Sequence, residues 1–230
     1  MAVNASDIGV CSTQGARNAQ TLTTSPTVFI LDDDRAVVAE ISSTLRANGL
    51  LVRVGTSGAE FLRTYNAQMP GCLVTDPCMQ GMSGLEVQRE LLARGIDIPV
   101  VFVTRTVDMR TTVLGMRAGA VTFLAKPVQP AELVEAVHEA IAKDASNRAQ
   151  RRERAAISAH LAQLTPREHQ VLRLLATGLM NKQIAAKLDV GEKTVKVHRG
   201  RILMKMRVPS AMALVALLHR ANLQVSVAPN

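Results

Sequence analysis

The chain has 230 residues, 47% of them hydrophobic and only 2% aromatic, and carries a net charge of +8. That length gives one or two domains room for separate cores; with no Trp, those cores must rest on Val, Leu, Ile, Met and Ala. The longest apolar runs, Ile98 to Val103 and Ala211 to Leu218, fall far short of a membrane span, and three cysteines (Cys11, Cys72 and Cys78) without metal or redox spacing exclude a disulfide scaffold and fit a reducing cytoplasm.

Residues 1–25, rich in Ser, Thr, Asn, Gln and Ala, lack a basic n-region and an apolar h-region and read as a disordered tail. From there the charge divides the chain. Residues 26–141 carry 10 Lys or Arg against 13 Asp or Glu, whereas residues 142–230 carry 16 against 5. A mildly acidic half joined to a strongly basic one implies two jobs, the second on nucleic acid.

In the acidic half, apolar strands alternate with helix-period segments. "TVFIL" (27–31) predicts a strand, followed by an amphipathic helix over 35–47 that stops at Asn48-Gly49. "LLVRV" (50–54) predicts a second strand before a helix over 57–66, and "CLVT" (72–75) a third before a helix over 83–93. "PVVFV" (99–103) precedes a helix over 108–117, and "AVTFLA" (120–125) precedes one that starts after Pro130. Five strict β–α alternations predict a parallel sheet covered on both faces, with continuously apolar strands.

Ligands of such sheets bind at the carboxyl ends of the strands. Asp32, Asp33 and Asp34 follow the first strand, Asp76 the third, Thr104 the fourth and Lys126 the fifth. Taken singly, each has a structural explanation: a strand-end Asp is commonly a turn former or helix cap, and a Lys before Pro a solvated loop charge. Taken together, the carboxylates repel one another unless a cation joins them. Mg²⁺, bound by one or two carboxylates and several waters, answers that need. A carboxylate beside Mg²⁺, with a hydroxyl and an ammonium facing it, can accept a phosphoryl group.

"ILDDD", "LVTD", "GMSGLE", "VVFVT" and "AGAVTFLAKP" resemble the receiver domain of bacterial two-component response regulators, a flavodoxin-like five-stranded parallel α/β fold, over residues 26–143. The resemblance implies that Asp76 is the phosphoacceptor, and that Asp33, Asp76 and the backbone carbonyl of Cys78 hold Mg²⁺, with Asp32 assisting. It further implies that Thr104 and Lys126 meet the phosphoryl oxygens and that Phe123 is the aromatic that rotates inward. Pro77, Gln80 and Arg105 depart from the usual pattern. Arg105 is open to three roles: clamping the phosphoryl group, pairing with Asp76, or pointing to solvent. Phosphorylation is expected to be retained with altered kinetics.

Residues 144–163 contain neither Pro nor Gly and predict a helical connector, with a charged flexible linker as the alternative. Its Arg148, Arg151, Arg152 and Arg154 read most simply as a solvated face, with DNA phosphates or the acidic receiver as other partners. In residues 164–225, "LTPREHQVLRLLATG" opens with Thr165 as cap, Pro166 at the first helical position and Glu168 three residues after the cap. Short helices over 181–190, 191–206 and 210–223 follow and predict an all-α, four-helix unit with a helix-turn-helix. On the third of these four helices, Val195, Ile202 and Met206 should face inward with His198 at the edge. Lys193, Lys196, Val197, Gly200, Arg201 and Met204 should face outward.

"LTPRE", "NKQIAAKLDV" and "EKTVKVHR" resemble the LuxR/GerE-type DNA-binding domain, and with the receiver they resemble the NarL/FixJ class of response regulators. The implied DNA contacts are Lys182, Lys193, Thr194, Lys196, Val197, Arg199 and Arg201, with base reading at Lys196 and Val197. Gly191 stands where the cap is usually Ser, and Gly200 lies mid-helix on the groove face.

The function implied is a transcription factor, not an enzyme, switched by Mg²⁺-dependent phosphorylation of Asp76. Its expected partners are a sensor histidine kinase, double-stranded promoter DNA, RNA polymerase and a second copy of the chain once phosphorylated. Residues Met212, Leu214, Val215, Leu217 and Leu218 are candidates for the dimer surface or for core packing. Two rivals remain: a degenerate receiver that binds DNA regardless of phosphorylation, and a haloacid-dehalogenase-like phosphohydrolase with Asp32 as nucleophile and Asp34 as acid.

Overall fold

A computed structural model describes residues 25–106 and 108–221. The expected tail up to residue 24, with Cys11, and the end of the chain from residue 222 lie outside the described residues. The first unit runs β1 (Thr27–Leu31), α1 (Arg35–Ala47), β2 (Leu51–Val54), α2 (Gly58–Thr64), β3 (Gly71–Thr75), α3 (Gly84–Ala93), β4 (Val100–Thr104), α4 (Met109–Arg117) and β5 (Thr122–Ala125). Then come α5 (Pro130–Leu161), α6 (Pro166–Ala176), α7 (Asn181–Leu188), α8 (Glu192–Lys205) and α9 (Ala211–Arg220).

All five strands are parallel, in the order β2-β1-β3-β4-β5. The strand order reverses between β1 and β3, so the crevice beyond their carboxyl ends is the natural ligand site. Strand residues alternate between two cores because successive side chains point to opposite faces. Val28, Ile30, Val74, Val101 and Val103 pack against Ile41 and Leu45 of α1 and Leu133 and Val137 of α5. Phe29, Leu31, Leu73 and Phe102 pack on the other face against Phe61, Leu62, Val87 and Leu91.

The expectation of continuous burial holds for β1, β3 and β4 and fails for β2 and β5, where most positions are exposed or half-buried. These two are the sheet edges, each with a neighbour on one side only. Helix starts follow the capping chemistry: Asp34, Ser83, Asp108 and Thr165 each accept a backbone N–H with the side chain. Thr165 and Glu168 form the reciprocal pair expected of a capping box.

The connector is helical. α5 holds 32 residues, about 48 Å at the usual rise. Its first half lends Leu133, Ala136, Val137 and Ala140 to the sheet's core. Near its far end, Ile157 joins Leu172, Ile184, Val195, Ile202 and Leu214 in the core of the second unit.

Arg148 leaves the solvated face for the receiver, the other protein partner expected of the cluster. Its Nε donates to Asp144 Oδ2 at 2.6 Å, and its Nη1 donates to the carbonyls of Ala67 and Gln68, both at 3.1 Å, while Nη2 reaches that of Met69. Asp144, with its side chain 2% exposed, also accepts from Gly71 N at 2.9 Å. Gly71 is required there: its φ is 147° and a Cβ would lie 1.8 Å from the Thr27 carbonyl oxygen. Arg151, Arg152 and Arg154 are exposed as expected.

Removing one member of a buried pair strands the other charge. Arg148→Ala is therefore expected to cost about 3 kcal/mol or more in urea unfolding of the full chain. Arg151→Ala should stay within about 0.5 kcal/mol. Equal midpoints for the two variants would show that the clamp carries no stability.

Candidate functional site

The carboxyl ends of β1 and β3 bring Asp32 and Asp76 to the same place, and Lys126, one residue beyond β5, reaches both. Its Nζ donates to Asp32 Oδ2 at 2.6 Å and to Asp76 Oδ2 at 2.7 Å. The three side chains are 6%, 2% and 12% exposed for Lys126, Asp32 and Asp76. The remaining oxygens are also committed: Asp32 Oδ1 accepts from Asp34 N at 2.9 Å, and Asp76 Oδ1 accepts from Cys78 N at 2.8 Å. Asp33 Oδ2 accepts from Gln80 N at 3.2 Å. Burial works against the Lys126 ammonium, but its hydrogen bonds to Asp32 and Asp76 outweigh that and hold its pKa above the ordinary lysine value.

Among the described residues, no three His, Cys, Asp or Glu side chains are arranged to hold a metal ion by themselves. The predicted set of Asp32, Asp33, Asp76 and the Cys78 carbonyl is thus not drawn around a common centre. Lys126 stands between two of the carboxylates and Asp33 turns to Gln80. The donor chemistry nonetheless fits a hard cation. Two carboxylates share one ammonium with a third close by in sequence, all donors are oxygens, and Mg²⁺ needs only one or two carboxylates with water completing its shell.

Thr104 is buried at the end of β4. Its hydroxyl faces its own loop: it donates to Thr106 O at 3.1 Å and accepts from Thr106 N at 3.3 Å. Phe123 stacks on Phe102 with ring centroids 4.7 Å apart and presses on Gly115 of α4, where a Cβ would lie 2.6 Å from the ring. Arg105 comes nearest to the solvent-facing role, with its side chain 69% exposed. It pairs with Asp34, the α1 cap, and not with Asp76.

Two functional neighbours went unread in the sequence. Gly84 N donates to Asp76 O at 3.2 Å, and a Cβ on Gly84 would lie 2.3 Å from that oxygen, so only glycine lets α3 begin against the end of β3. The "GMSGLE" stretch carried that signal. Gln88, buried on α3, donates to the carbonyls of Gly115 and Ala118, both at 3.2 Å, and pins the far end of α4. No local pattern marks it.

In the second unit, α7 ends on Asp189 in the left-handed conformation (φ 50°), which turns the chain into α8. Val195, Ile202 and Met206 are buried, while Lys193, Thr194, Lys196, Val197, Gly200, Arg201 and Met204 are exposed, as the helical period predicted. Lys182 is exposed on α7. Arg199 departs from a free flanking cation: it is half-buried and donates to Asn181 Oδ1 at 3.2 Å. His198 is half-buried, as expected of a packing residue. On α9, Leu214 and Leu218 are buried whereas Met212 and Val215 are exposed, so the apolar set divides between core and surface.

The chain matches the response regulator receiver domain over residues 28–138 and the luxR family of bacterial regulatory proteins over residues 162–218. It belongs to the response regulators that join a receiver to a LuxR-type helix-turn-helix, the NarL/FixJ class. Nodulation protein W of Bradyrhizobium diazoefficiens is 40% identical over 192 residues, covering 84% of this chain and 85% of that protein. The transcriptional regulatory protein FixJ of Azorhizobium caulinodans is 38% identical over 202 residues, covering 88% and 94%. The solved structure of the response regulator StyR matches with a TM-score of 0.74 at 41% identity, over 85% of this chain and 99% of that one.

The chain is therefore a response regulator with a DNA-binding domain, in a family of transcription factors that are paired with sensor kinases. The phosphohydrolase reading gains no support: Asp34 is committed to a helix cap and to Arg105. No described helix is long and apolar enough to cross a membrane.

Two outcomes follow from the second unit. A Cβ on Gly200 meets nothing within 4 Å, so Gly200→Ala should raise stability by about 1 kcal/mol, read as a higher melting temperature. An unchanged or lower one would contradict the open position. Glu168 is buried beneath α8 and accepts from Lys205 Nζ at 2.7 Å and Thr165 N at 2.8 Å. Burial opposes its charge, yet those partners win and hold its pKa below the ordinary 4.5. Its contribution to stability is present above 4.5 and fades as pH falls through the lower folded value. Glu168→Gln should accordingly flatten the acid limb of stability against pH, and an identical limb in both proteins would refute this.

Proposed function

We propose that phosphoryl transfer to Asp76 switches this response regulator between weak and strong DNA binding. The observation that carries the proposal is the Lys126 ammonium held between Asp32 and Asp76, where a phosphoryl group would need neutralising. In the transfer, an Asp76 carboxylate oxygen bonds to phosphorus as the P–N bond of the kinase phosphohistidine breaks, and the imidazole nitrogen takes up a proton. Lys126 then pairs with the phosphoryl oxygens. Asp32, Asp33, Asp76 and the Cys78 carbonyl would hold Mg²⁺. That ion, when bound, supplies charge neutralisation on the transferring oxygens.

Thr104 would leave Thr106 and turn its hydroxyl to the phosphoryl group, and Phe123 would follow into the space vacated, reshaping the surface of α4 and β5. Moving such a switch from mostly off to mostly on requires about 5.5 kcal/mol of differential stabilisation. The readout is the unit from residue 164 to 225, with 26–143 as the receiver and 144–163 as the connector. Lys196 and Val197 would read base edges in the major groove, and Lys182, Lys193, Thr194 and Arg201 would contact phosphates or flanking bases. The partners would be a cognate sensor histidine kinase, promoter DNA and RNA polymerase in the cytoplasm. The phosphorylated form would dimerise, and any hydrolytic activity would be limited to slow loss of its own phosphate.

The test is labelling with acetyl phosphate and Mg²⁺, followed by footprinting on selected DNA. The wild type should take up phosphate and bind DNA more tightly, and Asp76→Asn should do neither. DNA affinity that is equal with and without phosphodonor would instead favour the degenerate, constitutive binder.

A further inference from the structure

We infer that Arg105 is a phosphoryl-holding residue, parked on Asp34 while Asp76 is unmodified and released to the phosphoryl oxygens once Asp76 is modified. The inference rests on the proposed acceptor role of Asp76 and adds a residue that governs how long the modified state lasts.

Arg105 leaves the end of β4 directly after Thr104, whose carbonyl accepts from Lys126 N at 2.8 Å. Its base is thus fixed beside the acceptor pocket while its side chain is long and free to swing. The parking place is equally well defined. Asp34 Oδ1 caps α1 by accepting from Ala36 N at 2.9 Å and Val37 N at 3.4 Å, which leaves Oδ2 to the guanidinium. The Asp34 N–H donates to Asp32 Oδ1 at 2.9 Å, and the other oxygen of Asp32 meets Lys126, which meets Asp76. The guanidinium is thus joined to the acceptor carboxylate by a hydrogen-bonded chain through Asp34, Asp32 and Lys126.

The resting pair is weak by construction. The side chains of Arg105 and Asp34 are 69% and 28% exposed, and ion pairs in that setting are screened and contribute little. A phosphoryl group on Asp76 brings a second negative charge and three terminal oxygens, two of which the planar guanidinium fork can bind bidentately. Exchange from Asp34 to the phosphoryl group gives up little and gains two charge-assisted bonds.

Loss of the group is hydrolysis: a water oxygen bonds to phosphorus, the P–O bond to Asp76 breaks with its electrons returning to the carboxylate, and the water's proton leaves to solvent. Hydrolysis needs a water in line with the breaking P–O bond. A guanidinium held on the phosphoryl oxygens fills the approach that this water needs and so slows its attack. Arg105 prolongs the phosphorylated state.

The experiment follows the decay of label from the full chain after loading with radiolabelled acetyl phosphate and Mg²⁺. Arg105→Ala should shorten the half-life about threefold to tenfold, and Arg105→Lys, which keeps the charge without the fork, should fall between. Asp34→Asn retains a helix cap but removes the competing charge, so its half-life should equal or exceed that of the wild type. Raising salt should shorten the wild-type half-life toward that of Arg105→Ala and leave the latter unchanged. Wild-type labelling with an Arg105→Ala half-life unchanged or longer overturns the role of Arg105 alone. No label on the wild type overturns both this role and the acceptor role of Asp76. Matching melting temperatures of wild type and variants keep the comparison free of misfolding.

Discussion

A carboxylate that ends a buried strand must find a partner, and here a single ammonium serves two of them. Asp32 closes β1 and Asp76 closes β3, neighbours at the centre of the sheet, while Lys126 follows β5, two strands away from β3. The reach across β4 needs a long side chain, and the backbone bond from Lys126 N to Thr104 O fixes where that reach begins. Three loops are thereby held to one centre of charge. Because the arrangement leaves more negative than positive charge, the pocket is poised to accept additional cations, and any group that changes its charge alters the balance among all three loops.

What could be read in advance was what local chemistry decides. The alternation of β1, β3 and β4, the caps at Ser83 and Thr165 and the two faces of α8 all follow from period and capping, which a sequence displays directly. The strand-end acids and Lys126 were legible because a parallel sheet puts strand ends together whatever its loops do. The edge strands β2 and β5 looked as apolar as the central ones, since composition does not reveal whether a strand has one neighbour or two. Choices among long-range partners were hidden for a related reason. Arg105 had three plausible destinations and points largely to solvent while pairing with Asp34, a partner that nothing local marks; Arg148 looked like part of an exposed cluster and is the one member that turns inward, onto the receiver. Hydroxyl direction at Thr104 is a rotamer and leaves no trace in the sequence.

The second unit shows the same division between exposed chemistry and committed charge. α8 leaves Lys193, Lys196 and Arg201 exposed while other cations are spent internally: Lys205 on Glu168 and Gln163, and Arg199 on Asn181. Basic composition alone would count all of these toward nucleic acid. The fold separates cations that shape α8 from those left exposed on it, and the left-handed Asp189 turns the chain into that helix.

The unbroken α5 has a geometric consequence for the architecture of the whole protein. One helix is rooted in two hydrophobic cores, with Ala140 in the first and Ile157 in the second. Each residue in a helix advances about 1.5 Å and turns about 100°. Adding or deleting a residue between the two roots would thus not merely lengthen or shorten a spacer. It would rotate one core around the other by more than a quarter turn, so the stretch between Arg148 and Ile157 fixes an orientation as well as a distance, and the length of this connector is set in discrete angular steps.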